Sequence, residues 1–314
     1  LILVTPLAVG ATLGILGGGQ LGRMTALAAA RLGFRVHVFS PEADAPAFDV
    51  TPLQTCAAYT DEAALTAFAS AVDAVTLEFE NIPISALQCV AAVKPLAPGA
   101  DALAIAQDRL AEKAFAQTLG VPTAPFQAVD SLQSLAEAMK AIGCPAILKT
   151  RRFGYDGKGQ ARILENTPLA LETAWSAVGG QPAILEGMVD FTAELSVVAA
   201  RDWQGSMAWY PVTENTHEHG ILARSVAPAR LPSEIAARAA GVAATLATGM
   251  NITGLLAVEM FLGRDGQVLM NEMAPRPHNS AHWTMDGAET CQFEQLVRIA
   301  AGWPLGGTAM TVSK

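Results

Sequence analysis

The chain has little cysteine: four in 314 residues, at Cys56, Cys89, Cys144 and Cys291, with no C-x-x-C spacing. That excludes a disulfide framework or a thiolate metal knot, and the four read as reduced, mostly buried thiols of a cytoplasmic protein. Positive charge is also scarce. Against 29 Asp and Glu stand 20 Lys and Arg, a net charge of −9, which argues against a nucleic-acid or anionic-membrane partner. The apolar start, residues 1–11, lacks a basic leader and falls short of the ~20 residues of a membrane span. Two of the five histidines, His278 and His282, are four apart, but no cysteine or third histidine lies near enough to complete a zinc site. What is present is 51% hydrophobic residues, enough for more than one core, over a length that allows two or three domains.

The first hundred residues alternate strand and helix. The segments 12–16, 35–40 and 74–77 predict strands, and 21–32, 62–71 and the stretch around 85–93 predict helices, a parallel α/β unit. Gly17, Gly19 and Gly22 fit G-x-G-x-x-G between a strand and a helix, and Glu42 lies 20 residues past Gly22, where a ribose-binding acid would sit in an NAD- or FAD-binding oxidoreductase. A glycine turn at a helix N-terminus suits any phosphate, so this reading stays open beside others.

Further on, residues 152–160 read R-F-G-Y-D-G-K-G-Q, just after an apolar strand that ends in Lys149. Glycines let a backbone approach an anion and aim N–H groups at it, and Lys149 and Lys158 add charge suited to a triphosphate. A solvated hairpin is the alternative. A second cluster favours the nucleotide: residues 257–262 and 268–272 form two apolar segments around a polar turn, which predicts a hairpin with Glu259 and Glu272 facing each other and Asn271 beside them. A carboxylate among apolar residues costs several kcal/mol unless a cation meets it, and magnesium on phosphate oxygens would do so; an edge strand with Glu259 turned to solvent is the alternative. Residues 274–283, A-P-R-P-H-N-S-A-H-W, make neither helix nor strand. A rigid loop presenting Arg276, His278 and Asn279 fits a small oxyanion such as bicarbonate or an acyl phosphate.

With G-I-L-G-G-G-Q-L-G-R-M (14–24), E-F-E-N-I-P (78–83), Q-D-R-L-A-E-K (107–113), G-Y-D-G-K-G-Q (154–160), Y-P-V-T-E-N (210–215) and N-E-M-A-P-R-P-H-N-S (271–280) in order along the chain, the sequence resembles the ATP-grasp carboxylate–amine ligases, and among them the N5-carboxyaminoimidazole ribonucleotide synthases. The resemblance implies an α/β and α+β architecture: a Rossmann-like pre-ATP-grasp domain over 1–106, a linker helix and lid over 107–185, a central ATP-grasp domain with the metal site over 186–303, and at 304–314 the start of a truncated C-terminal subdomain. It implies a cytoplasmic homodimer that uses ATP, bicarbonate and 5-aminoimidazole ribonucleotide with Mg²⁺, two ions, or Mn²⁺ in substitution. ATP would contact Arg109, Lys149, Gly154, Tyr155, Asp156, Gly157, Lys158, Gly159, Gln160, Glu186, Gly187, Met188, Val189, Glu194, His217, Asn271 and Glu272. Glu186 would accept from the adenine amino group and Glu194 would take ribose hydroxyls. The turn Gly18, Gly19, Gln20, Leu21 and Gly22, with Glu80 and Asn81, would face the substrate's ribose phosphate. Glu259 and Glu272 would hold metal, Arg276, His278 and Asn279 the oxyanion, and Asp156 would touch the aminoimidazole amine.

Arg109 and Lys113 share a face of a helix expected over 108–119; the lid is expected to carry a helix at 134–142 and strands at 146–150 and 161–164. The alanine-rich helix 232–248 reads as packing only, and His219 as exposed. Ala281 stands where the resembled loop has glycine, so the backbone there is expected to differ if that position needs positive φ. Formate-dependent glycinamide ribonucleotide transformylase is the nearest rival within the superfamily, and biotin carboxylase and D-alanine–D-alanine ligase share the architecture.

Overall fold

Apolar runs without alternation become strands buried on both faces, as a parallel sheet covered by helices requires. In the computed structural model, which describes residues 5–154, 159–218 and 220–311, β1 (Thr12–Leu16), α1 (Gln20–Arg31), β2 (Arg35–Ser40), β3 (Leu53–Cys56), α2 (Glu62–Ser70), β4 (Ala74–Leu77) and α3 (Ile84–Ala91) build a four-stranded parallel sheet. Its order is β3-β2-β1-β4. The chain therefore reverses direction of winding between β1 and β4, the place where ligands of open α/β sheets bind. Strand β3 was not legible because three of its four residues are polar or a small thiol on an exposed edge.

After α4 (Ala100–Ala106), helix α5 (Arg109–Thr118) starts at Asp108, whose Oδ1 accepts the Leu110 N–H at 3.0 Å. The lid follows: β5 (Phe126–Val129), α6 (Leu132–Ile142), β6 (Ala146–Thr150), β7 (Gln160–Ile163), α7 (Pro168–Ala177) and β8 (Ala183–Gly187), in a sheet ordered β5-β8-β6-β7. Helix α6 begins two residues before its expected start because Ser131 and Ser134 cap each other's backbone N–H groups.

The larger sheet comprises β9 (Phe191–Arg201), β10 (Met207–Trp209), β11 (Thr213–Glu218), β12 (Ile221–Val226), β13 (Gly254–Gly263) and β14 (Val268–Ala274), in the order β12-β11-β9-β13-β14 with β10 on β9. Helix α8 (Ser233–Gly249) lays Ala239, Ala243, Leu246 and Ala247 on this sheet. The short α9 (Thr284–Gly287) leads into α10 (Gln292–Ala300). Helix α10 crosses back to the first sheet, where Phe293, Val297 and Ala300 join the core of β1, β2 and α1. Residues expected in the central unit thus complete the N-terminal one, because α10 is apolar toward both.

Two expectations are corrected. The cysteines are not mostly buried: Cys56 and Cys144 are exposed, and Cys89 and Cys291 half-buried. Cys56 ends an edge strand and Cys144 lies in the α6–β6 connection, and such segments run over the surface. Ala281 needs no positive φ; Phe153 and Asn251 are the non-glycine residues that adopt it among the described residues, and Ala281 packs, 2% exposed, in a 3₁₀ turn over Asn279–Ala281. His219 lies outside the described residues. No described helix is long and apolar enough to cross a membrane.

Candidate active site

The glycine turn after β1 does not form an open phosphate cradle. Glu78, just past β4 and 9% exposed, fills it: Oε1 accepts the Gly19 N–H at 2.7 Å and Oε2 the Gly22 N–H at 2.9 Å. Burial raises the Glu78 carboxyl, an effect the two N–H bonds offset in part. The glycines make room for this carboxylate, since a Cβ on Gly17 would lie 2.5 Å from Glu78 Cγ, and one on Gly19 2.8 Å from Oε1. A dinucleotide pyrophosphate would need the same N–H groups, so the oxidoreductase reading fails here, and Glu42 is an exposed surface carboxylate. Gly17→Ala adds this clash to a φ of +98°; we expect a loss of about 2 kcal/mol or more, read as a lowered denaturation midpoint.

The large cavity lies elsewhere, between the lid, α5 and the β13–β14 hairpin, with a volume of 1010 Å³. Its wall includes Glu80, Asn81, Arg109, Lys149, Gly154, Gln160, Glu186, Gly187, Met188, Val189, Glu194, His217, Glu259, Asn271, Glu272, Arg276, His278 and Asn279. Gly18, Gly19, Gln20, Leu21, Gly22 and Gly159 are not among the described residues that line it. Tyr155, Asp156, Gly157 and Lys158 lie outside the described residues.

Glu259 pairs with Glu272 across β13 and β14, and the register breaks at the next residue, where Met260 meets Met270. Asn271 is the extra residue of a bulge, which re-aims side chains; Asn271 and Glu272 both reach the cavity instead of alternating. Burial alone would raise the Glu272 carboxyl, but Arg109, 2.6 Å away, holds it below the usual range. Burial and then the Glu272 charge push Glu259 up. The Asn271 Oδ1 is buried without a hydrogen-bond partner among the described residues. Two crowded carboxylates and a free carbonyl oxygen are the hard oxygen donors that magnesium accepts when phosphates and water complete its shell, so the residues fit the ion. No cluster of three or more His, Cys, Asp or Glu suited to a metal occurs among the described residues, consistent with a site that relies on substrate oxygens.

Beside the carboxylates stands His278. Its Nδ1 accepts from the Ser280 N–H at 3.3 Å and lies 2.9 Å from the Ser280 hydroxyl; that hydroxyl accepts from Ser196, which accepts from Asn215 Nδ2. This chain assigns the ring proton to Nε2, 3.4 Å from Glu259 Oε1. Burial and then Arg276 lower the His278 pKa to about 4, so it is neutral at pH 7 and Nε2 is left as a donor. Gln292 of α10 braces the loop by accepting the His278 N–H and donating to its carbonyl. Arg276 grips Glu80 through Nε and Nη2 and donates from Nη1 to the Pro277 carbonyl. Two of its five N–H groups remain for an oxyanion.

At the far end, Glu186 sits 3.1 Å from Lys149 and 3.3 Å from Lys113. Burial would raise its carboxyl; Lys113 and Lys149 hold it low. Burial lowers the Lys149 ammonium pKa. The second Glu186 oxygen, Oε1, is buried with no partner among the described residues and is free to accept a donor. His217 Nδ1 lies 2.6 Å from Glu194, and this hydrogen bond raises its pKa. Just past β6, Arg151 forms a two-pronged pair with Asp108, and Arg152 donates to Gln107 at 2.6 Å. Sequence reasoning missed Glu78, Glu112, Arg151, Ser196 and the buried state of Lys113. The one available signal was Asp108, a helix-capping residue that meets an arginine 43 positions later.

A family profile for the ATP-grasp domain matches residues 114–293, and one for the ribonucleotide synthetase preATP-grasp domain matches residues 10–107. The N5-carboxyaminoimidazole ribonucleotide synthase of Brucella melitensis is 46% identical over 304 residues, 97% of this chain and 84% of that protein. The chain belongs to the N5-carboxyaminoimidazole ribonucleotide synthase family of ATP-grasp enzymes. Among solved structures of the synthase family, an ADP complex matches with a TM-score of 0.93 at 39% identity, covering 97% of this chain and 80% of that one. The Aspergillus clavatus synthase, in complex with ADP and 5-aminoimidazole ribonucleotide, matches with a TM-score of 0.89 at 27% identity over 96% of this chain and 80% of that one.

Proposed function

We propose that this chain is an ATP-dependent carbon–nitrogen ligase that carboxylates 5-aminoimidazole ribonucleotide to N5-carboxyaminoimidazole ribonucleotide, releasing ADP and phosphate, in purine biosynthesis. The observation that carries the reading is the shared wall of one cavity: a lid lysine, a facing carboxylate pair and an oxyanion loop, in a fold matched over 96% of its length by a synthase holding ADP and this aminoimidazole.

Bicarbonate oxygen attacks the γ-phosphorus of ATP, the bond to the β-phosphate oxygen breaks, and carboxyphosphate and ADP result. The substrate amine then takes the carboxyl group, directly or as released CO₂, and phosphate leaves. Phosphoryl transfer of this kind needs positioning and charge neutralisation more than covalent help. Lys149 and Lys158 hold phosphate oxygens, Arg109 orients Glu272, and Glu186 Oε1 accepts from the adenine amino group. Glu194, fixed by His217, takes ribose hydroxyls. Glu259, Glu272 and Asn271 would hold Mg²⁺, or Mn²⁺ in substitution, which when bound neutralises phosphate charge. The neutral His278 donates from Nε2, and the two spare N–H groups of Arg276 and the Asn279 amide meet the bicarbonate or carboxyphosphate oxygens. Glu80 and Asn81 face the ribose phosphate, with the N–H groups of Gln20 and Leu21 left over at the α1 terminus, and Asp156 would touch the amine. A lid over the cavity shields carboxyphosphate from water. A cytoplasmic homodimer belongs to the same reading.

The test is ADP and phosphate release from MgATP in bicarbonate buffer, with and without 5-aminoimidazole ribonucleotide, beside formate with glycinamide ribonucleotide. Turnover that depends on the aminoimidazole supports the proposal; stimulation by the formate pair alone transfers the chain to the transformylase.

A further inference from the structure

Three residues on one face of α5 hold three consecutive residues of β14. Arg109 donates to the Glu272 carboxylate at 2.6 Å, Lys113 Nζ to the Asn271 carbonyl at 2.8 Å, and Glu112 Oε1 accepts the Met273 N–H at 2.5 Å. Positions 109, 112 and 113 are one helical turn apart and so point together. Strand β14 is the edge of its sheet, with backbone groups that face outward and have no neighbouring strand. At the bulge beside Asn271 the ladder to β13 is also interrupted. Side chains of α5 supply the missing partners at the two backbone groups that flank Glu272.

Glu112 and Lys113 are 2% and 1% exposed. An apolar pair would cover an edge strand at lower desolvation cost, because burying ionisable groups is expensive, and burial pushes the Glu112 carboxyl up to about 8. What an apolar pair cannot do is accept one backbone N–H and donate to a carbonyl two residues earlier. Lys113 also reaches Glu186 at 3.3 Å, and Glu186 belongs to β8, which closes the lid sheet beside Lys149. One ammonium therefore touches both the hairpin that carries Glu259 and Glu272 and the strand that carries Glu186.

We propose that Glu112 and Lys113 are positioning residues: they clamp the β14 backbone on either side of Glu272 so that Asn271 and Glu272 project together into the cavity. Glu112 reaches the cavity wall and Lys113 lies behind it, and both act through the β14 backbone. This rests on the reading above for the identity of the ion and the nucleotide, and its deciding readout, Mn²⁺ binding, does not require the aminoimidazole. Mn²⁺ is titrated into the protein with saturating ADP and followed by electron paramagnetic resonance, alongside the Mg²⁺ dependence of ATP turnover.

In Glu112→Ala the Mn²⁺ dissociation constant and the Mg²⁺ concentration for half-maximal turnover rise on the order of 10-fold, the size typical of groups that orient metal ligands. Glu112→Gln, which keeps an acceptor oxygen for the Met273 N–H, restores both to within about threefold of wild type. The KM for the aminoimidazole changes less than about twofold in either variant, because the clamp lies at the nucleotide end. A filler role predicts a lowered melting temperature with unchanged ion affinity, and that outcome overturns the proposal. Should Glu112→Ala fail to fold, Lys113→Met removes the other half of the clamp, and wild-type Mn²⁺ affinity in that variant is equally fatal. Absence of aminoimidazole stimulation in the wild type would instead sink the substrate reading and leave the Mn²⁺ result standing.

Discussion

Glu272→Ala abolishes ATP turnover. The carboxylate faces Glu259 across the hairpin and is the group that Arg109 holds ionised, so its removal would, on the proposed reading, take away the stronger anionic ligand, and it leaves the guanidinium without its partner. An arginine aimed at the cavity then repels the cation that Glu259 and Asn271 would still offer to bind. Loss of a group that organises phosphate charge lowers the rate on the order of 10³-fold. Glu272→Gln separates charge from shape, since it retains a hydrogen bond to Arg109 and should fold normally while remaining as inactive as the alanine variant. Steady-state ADP release, with the melting temperature as a control, decides the matter. ADP production at the wild-type rate in Glu272→Ala would refute the metal assignment.

Arg276→Met is expected to be the most damaging single change to stability in the site. Arg276 and Glu80 are 19% and 23% exposed in their side chains and bind each other through two N–H groups. Burial would raise the Glu80 carboxyl, and Arg276 holds it below its usual range. Breaking a buried pair strands the remaining charge, at a cost of about 3 kcal/mol for one this well enclosed. The double variant Arg276→Met/Glu80→Gln removes the stranded charge and should recover most of the loss. Activity should stay low in both, because the oxyanion loop has lost its donor. Denaturant midpoints of the wild type, two single variants and the double variant form a cycle; equal losses in Arg276→Met and the double variant would show that the pair is not what holds this corner together.

Where the chemistry depends on neighbours in sequence, the chain was readable. Burial on both faces wrote β1 and β4 as short segments without charge, and a lone glutamate within an apolar segment marked Glu259 as a group in need of a cation. The facing of Glu259 and Glu272 followed from hairpin geometry, although the bulge that turns Asn271 inward did not, since a bulge is an irregularity of pairing and leaves no mark in periodicity. The glycine turn was visible, but its occupant was not: Glu78 lies 59 residues from Gly19 and meets it because β4 runs parallel beside β1. The burial of Lys113 was not legible, because spacing gives the face of a helix and not what covers that face. The exposed cysteines misled for a related reason, as residue type predicts average burial and Cys56 and Cys144 are placed by edge and turn.

The return of α10 to the first sheet also sets an order of events during synthesis. Phe293, Val297 and Trp303 finish the apolar surface around β2 and α1, and Trp303 hydrogen-bonds the Leu7 carbonyl. At ribosomal speeds of about 5–20 residues per second, the roughly 200 residues between β4 and α10 take some tens of seconds to emerge. Through that interval the nascent N-terminal unit carries an unfinished apolar flank that its own later sequence must cover.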